Sequence, residues 1–297
     1  MTDYFQIENH NSKLVISADG GALISYVYRG FDYFGMRLGS RYIEGSQGQV
    51  LIPWPNRIQD GRYSYMGYEY QLPINEVEKH NSIHGLIRWT KFKLVKVLTD
   101  SVDLMATLVA QPGYPFELEI YLTYRLLKDS VSVQTKVVNL SNRIAPLGIG
   151  WHPYFRVSDG LIDACKLTIP ADSVLVTDSR AIPTITNKII GSELDFTRDK
   201  IIADVVFDTC YLNFNSSKLK AVLTDPAEKI SLVLTADLPY KYLMVYSGDT
   251  LKDESKRRRQ IALEPMTCPP NALKTQTDIL EISPKQSVIS SWKVTIS

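Results

Sequence analysis

Proton transfer near neutral pH needs groups that change state there, and imidazole is the side chain that does so unaided. The 297-residue chain has only four histidines, His10, His80, His84 and His152. Two stand in unusual company. His152 lies in Gly148-Ile149-Gly150-Trp151-His152-Pro153-Tyr154-Phe155, where an apolar run ends among aromatic rings. Pro153 biases His152 towards extended backbone. It reads either as a satisfied core histidine or as a polar group in a sugar pocket, where rings pack on C–H faces and fixed polar atoms take the hydroxyls. His84 lies in Asn81-Ser82-Ile83-His84-Gly85-Leu86-Ile87-Arg88-Trp89. Gly85 implies a turn or close backbone packing, so His84 is a hydrogen-bonded loop residue or part of a site.

Three further residues carry usable chemistry. Glu264 closes an apolar run, Ile261-Ala262-Leu263-Glu264, directly before Pro265. Shielded from water its carboxylate becomes more basic; otherwise it is a rim residue in an ion pair. Asp208 ends Val205-Val206-Phe207-Asp208, a position equally suited to ordinary turn chemistry. Arg57 follows Pro53-Trp54-Pro55-Asn56 and precedes Gly61. A carboxylate and an imidazole together can remove one proton and deliver another.

Strands must position these groups. In Phe116 to Leu126 apolar and polar residues alternate without a break, and Val131 to Val137 repeats the pattern after the polar gap at 127–130. Period two describes a strand with one buried face, and this pair reads as a hairpin. Similar short runs occur at 14–17, 92–98, 102–109, 166–169, 231–234, 242–247, 261–264 and 287–296. No window of twelve residues has a helical period, and Pro53, Pro55, Pro265, Pro269 and Pro270 interrupt the remaining candidates. The expectation is an all-β, large antiparallel two-sheet β-sandwich, with residues 1–297 as one domain.

Bulk composition narrows the partners. Lys and Arg number 33 against 32 Asp and Glu, so no long-range field exists to hold nucleic acid. The local run Lys256-Arg257-Arg258-Arg259 reads as a solvated loop or as a contact for an anionic substrate. Cys165, Cys210 and Cys268 are odd in number and match no metal-binding spacing, which fits a reducing compartment. The N-terminus lacks the pattern of a signal peptide, and no apolar run approaches a membrane span. These readings point to a cytoplasmic protein without membrane partners, as monomer or homodimer.

Taken in order, four segments resemble the aldose 1-epimerase (galactose mutarotase) family: Asn56-Arg57-Ile58 with Gly61, His84-Gly85-Leu86, His152-Pro153-Tyr154-Phe155, and Leu263-Glu264-Pro265. Asp208 with Tyr211 is a weaker fifth. The resemblance runs from about residue 50 to the end. It implies a galactose mutarotase-like supersandwich with its site in a cleft on one sheet, a small-molecule sugar as partner, and no metal or organic cofactor. By similarity Glu264 is the general base at the C1 hydroxyl and His152 the general acid at the ring oxygen. His84, Asp208 and Arg57 hold hydroxyls, with Asn56, Trp54 and Tyr154 in the substrate-binding set. The approach Leu51-Ile52-Pro53-Trp54-Pro55 departs from typical galactose mutarotases. It is nearest the bacterial subgroup with sulfoquinovose mutarotase-like proteins, and it leaves Trp54, Arg88 and Trp89 to shape the pocket. Rival readings are a hexose-6-phosphate or sulfo-sugar mutarotase, using Arg57, Arg88 and residues 256–259; a glycoside hydrolase, using Asp208 and Glu264 as paired carboxylates; and a non-catalytic carbohydrate-binding module.

Overall fold

The computed structural model describes residues 3–35, 43–216 and 218–297. Two large antiparallel sheets dominate. The first has nine strands, in the spatial order Lys93–Val97, Ser101–Leu108, Leu118–Leu126, Ser130–Asn139, Ser287–Ile296, Ile230–Ala236, Leu219–Asp225, Lys166–Thr168 and Lys200–Ile201. The expected hairpin is there, with Leu118 opposite Asn139 and Leu126 opposite Val131. Alternation along Leu118–Leu126 buries Leu118, Ile120, Leu122, Tyr124 and Leu126.

The second sheet carries the histidine and glutamate motifs. It runs Pro183–Lys188, Ala171–Thr177, Asp208–Phe214, Tyr242–Tyr246, Ile261–Met266, Gly150–Trp151 and Val50–Leu51, with Tyr154–Phe155 also paired to Ile261–Met266. The two sheets meet through Trp151. Its ring lies 5.7 Å from that of Trp292 and 6.1 Å from that of Tyr124, and its Nε1 donates to Thr135 Oγ1 at 3.0 Å. The indole thus buries a large apolar area without orphaning its N–H.

Period two sorts the second sheet's side chains into two sets. Leu243, Val245 and Leu263 enter the inter-sheet core. Across the same strands, Asp208 pairs with Tyr246, Cys210 with Met244, and Met244 with Glu264, so these residues share the opposite face. That face is the floor of the cleft.

Local details depart from the sequence expectation. Glu264 sits inside the Ile261–Met266 strand, which continues through Pro265. Proline is tolerated because the ladder is broken beside it. The Leu263 N–H donates to the Pro153 carbonyl at 3.3 Å and the Thr267 N–H to the Ile149 carbonyl at 2.9 Å. Pro265 faces the gap between Gly150–Trp151 and Tyr154–Phe155, where its missing N–H leaves nothing unpaired. Asp208 begins a strand rather than ending one. The α-helix Ala272–Thr275 has too few residues to show a period. Among the described residues no helix is long and apolar enough to cross a membrane.

Candidate active site

His152 occupies that same break in the sheet. Its backbone is pinned on both sides: its N–H donates to the Gln49 carbonyl at 3.0 Å, and its carbonyl accepts from the Gly48 N–H at 2.9 Å. The ring stacks on Tyr154, with centroids 5.1 Å apart and planes 6° from parallel. His152 Nε2 stands 3.4 Å from Glu264 Oε1. Both residues are buried, and Glu264 Oε2 meets no hydrogen-bond partner among the described residues. Burial pushes the His152 imidazole down to about 3, with the Arg88 charge adding to the effect. Burial drives Glu264 the other way, well above the usual carboxylate range; Asp208 adds to this and Arg57 opposes it.

A second loop pair brings in Asn56, Arg57 and His84. The His84 N–H donates to the Asn56 carbonyl at 2.9 Å, and the Asn56 N–H donates to His84 Nδ1 at 3.3 Å. Accepting at Nδ1 leaves the neutral ring its proton on Nε2, as a donor. Burial holds His84 well below its ordinary range, helped by His152, Arg88 and Arg57. Its ring centroid lies 5.2 Å from that of His152. Asn56 and His84 both adopt left-handed backbone, at φ 54° and 63°. Such strain persists only where surroundings over-determine it. Next to His84, Gly85 at φ 69° packs directly on Ile52, where a Cβ would overlap the carbonyl oxygen.

Arg57 is almost wholly engaged. Its Nε lies 3.1 and 3.0 Å from the two Glu76 carboxylate oxygens, and its Nη2 lies 3.0 Å from Oε1. Its remaining amino group, Nη1, stands 3.8 Å from Asp208 Oδ2. A cleft of about 750 Å³ connects these groups, and its walls include Asn56, Arg57, His84, His152, Tyr154, Asp208 and Glu264. That volume suits a small organic molecule.

Trp54 is the exception among the expected site residues. Its ring is fully buried in the core cluster and does not line the cleft. A side chain of that apolar area gains more between the sheets than at a wet wall. Trp89 is 57% exposed, with the Arg88 guanidinium 5.5 Å above its ring, and it also lies off the cleft wall. Arg88 itself is on the wall and donates to Ser46 Oγ at 2.7 Å.

The basic run is not at the cleft either. Arg258 reaches Asp163 at 2.7 Å and Asp249 at 3.0 Å, and Arg257 reaches Glu254 at 2.9 Å. Residues that sequence reasoning did not single out are Glu76, Tyr246, Asp249 and Lys252, all on the cleft wall. Glu76 had no local signal, because its partner is 19 positions away.

Fold and cleft together define a galactose mutarotase-like protein, built on a two-sheet sandwich with a buried imidazole–carboxylate pair. The chain belongs to the aldose 1-epimerase family, whose pattern it matches over residues 3–290. It is 37% identical to the protein YihR of Escherichia coli K12 over 234 residues, covering 78% of this chain and 73% of that one. Mouse galactose mutarotase is 31% identical over 148 residues, 46% of this chain and 41% of that one. Among solved structures, the GalM/aldose epimerase homologue of C. elegans superposes with a TM-score of 0.89 at 18% identity, covering 100% and 99% of the two chains. Galactose 1-epimerase of Lactobacillus acidophilus gives 0.85 at 16% identity, with 100% and 94% covered.

Proposed function

We propose that the chain interconverts the α and β anomers of a free aldose by proton transfer between the sugar and the Glu264–His152 pair. The observation that carries this is the 3.4 Å approach of the two side chains on the floor of a sugar-sized cleft. Glu264 takes the proton of the C1 hydroxyl, and the O–H electrons form the aldehyde C=O. The C1–ring-oxygen bond breaks, and its electrons collect on the ring oxygen, which takes a proton from His152. Rotation about C1–C2 and the reverse steps close the ring on the other face.

The proton count balances within the pair. The reactive cyclic state has carboxylate and imidazolium; the open-chain state has carboxylic acid and neutral imidazole. Burial favours the neutral forms of both, so the ion-paired state costs free energy that the proton transfers to and from the sugar release. His84, as a neutral Nε2–H donor, and the Arg57 Nη1–Asp208 couple hold hydroxyls.

A neutral sugar is the favoured substrate. Arg57 on the cleft wall is engaged by Glu76, and Arg258 lies off that wall, held by Asp163 and Asp249, which leaves Arg88 of the candidate cations to meet an anionic group. The 31% match to mouse galactose mutarotase supports a hexose.

Saturation-transfer NMR on galactose, glucose, glucose 6-phosphate and a 6-sulfonated hexose tests both levels. Glu264→Gln is expected to lower exchange by at least about a thousandfold while sugar binding survives. Undiminished exchange in that variant would remove Glu264 as the base, and sugar binding by wild type with no exchange above background would leave only a sugar-binding module. A strong preference for the phosphorylated or sulfonated sugar would transfer substrate recognition to Arg88 and Lys252 on the cleft wall.

A further inference from the structure

A chain of polar contacts leads from Arg57 out of the cleft through Asn81 to a hairpin tip 99 positions beyond Asn81 in sequence. Glu76, which grips Arg57 through both carboxylate oxygens, also accepts from Asn81 Nδ2 at 3.0 Å. Asn81 is fully buried, and the same Nδ2 lies 3.0 Å from the Arg180 carbonyl, while its Oδ1 accepts from Arg180 Nη2 at 3.3 Å. Arg180 stands at the tip of the hairpin formed by Ala171–Thr177 and Pro183–Lys188. Its guanidinium takes up the Lys79 and His80 carbonyls at 2.9 and 2.8 Å and is anchored on Asp60 at 2.8 Å. Asp178 braces the tip, accepting from the Arg180 and Ile182 N–H groups at 2.9 Å each.

We infer that Arg180, through Asn81 and Glu76, is a positioning residue that sets where the Arg57 guanidinium stands in the cleft, and so sets sugar affinity. Glu76 leads into the short turn Val77–Lys79 and is bridged to Asn81, its N–H donating to the Asn81 carbonyl and its carbonyl accepting from the Asn81 N–H, each at 3.1 Å. The hairpin tip holds Asn81, and so fixes the residue on which Glu76 is seated through both backbone and side chain. An Arg fork fixed at several acceptors loses less freedom per bond than a flexible ammonium would. Arg57 Nη1 is the amino group left beside Asp208. A shift of the Glu76 carboxylate therefore moves that donor relative to the sugar hydroxyls while leaving Glu264 and His152, on another strand and its neighbouring break, in place. The effect belongs in binding, not in proton transfer.

This rests on the mutarotase reading, and the test separates the two. Wild type is assayed first by saturation transfer against the sugar panel; no exchange with any sugar would end the mutarotase reading before the hairpin is touched. Given exchange, Arg180→Ala is expected to raise KM by about tenfold with kcat within about twofold. Arg180→Lys, which keeps the charge and part of the reach, should recover part of the loss. Glu76→Gln should raise KM similarly, and adding Arg180→Ala to it should raise KM little further, because both act through one group. An Arg180→Ala protein with a lowered Tm and an unchanged KM would overturn the proposal, as would full additivity with Glu76→Gln. If Arg180→Ala does not fold, Glu76→Gln decides alone: an unchanged KM there overturns it.

Discussion

Glu264 carries a carboxyl where water hardly reaches, 2% exposed, with one oxygen lacking a hydrogen-bond partner among the described residues. A carboxyl buried in this way works against stability once it must ionise. Its folded-state affinity for the proton is raised above the ordinary value of 4.5. Its contribution is therefore fully present below about pH 4.5 and is lost as pH rises through the higher folded value. Glu264→Gln is expected to raise Tm by several degrees at pH 8 and to change it little at pH 4, measured by differential scanning calorimetry. A variant less stable than wild type at pH 8 would mean that the carboxylate is better satisfied than its surroundings suggest. His152 has the opposite sign. Its folded value of about 3 lies below the ordinary 6.5, so stability falls as pH drops through that interval, where the unfolded chain takes up a proton that the folded one refuses. His152→Phe should flatten this acid limb.

At the scale of elements, the site depends on interruptions in regular structure. The break between Gly150–Trp151 and Tyr154–Phe155 turns His152 to the cleft, and the left-handed pair Asn56 and His84 locks one loop to another. Gly85 is the keystone of the second arrangement. Gly85→Ala meets both a φ of 69° and the Ile52 carbonyl, and is expected to destabilise by more than about 1 kcal/mol. It should also weaken sugar binding by displacing His84, read as a higher KM beside a lower Tm; an unchanged KM would show that the loops are held elsewhere. Regular elements were legible in the chain because they repeat. Leu118–Leu126 and Ser287–Ile296 announce themselves by alternation over nine or ten residues. Two-residue strands such as Tyr154–Phe155 contain no repeat to read. The same limit governed the site. His84, His152 and Glu264 stood out by their neighbours, but Glu76 becomes visible only when its loop folds back on Arg57. Trp54 misled because an aromatic beside a motif suits a core as well as a pocket.

For the molecule as a whole, the sandwich is joined at the site's own foundations. Trp151 packs on Tyr124 and Trp292 of the opposite sheet and immediately precedes His152. Trp151→Ala is expected to cost about 3 to 5 kcal/mol and to lower activity as well as stability, since the cavity opens beneath the imidazole. Chemical denaturation together with an exchange assay on the folded fraction checks both. Full activity per folded molecule would uncouple core from cleft. Cys165, Cys210 and Cys268 are all free and no more than 3% exposed, Cys165 in the inter-sheet core and Cys210 on the cleft-floor face with Tyr242 and Met244. Burial raises the Cys165 thiol to about 11 and the Cys268 thiol to about 12. An alkylating reagent therefore finds no ready thiolate until the packing around each sulfur opens. The three sulfurs make the protein its own clock: the rate at which they take up label at low denaturant records how often the interior opens, and Cys210, across the strands from Glu264, times the opening of the cleft floor itself.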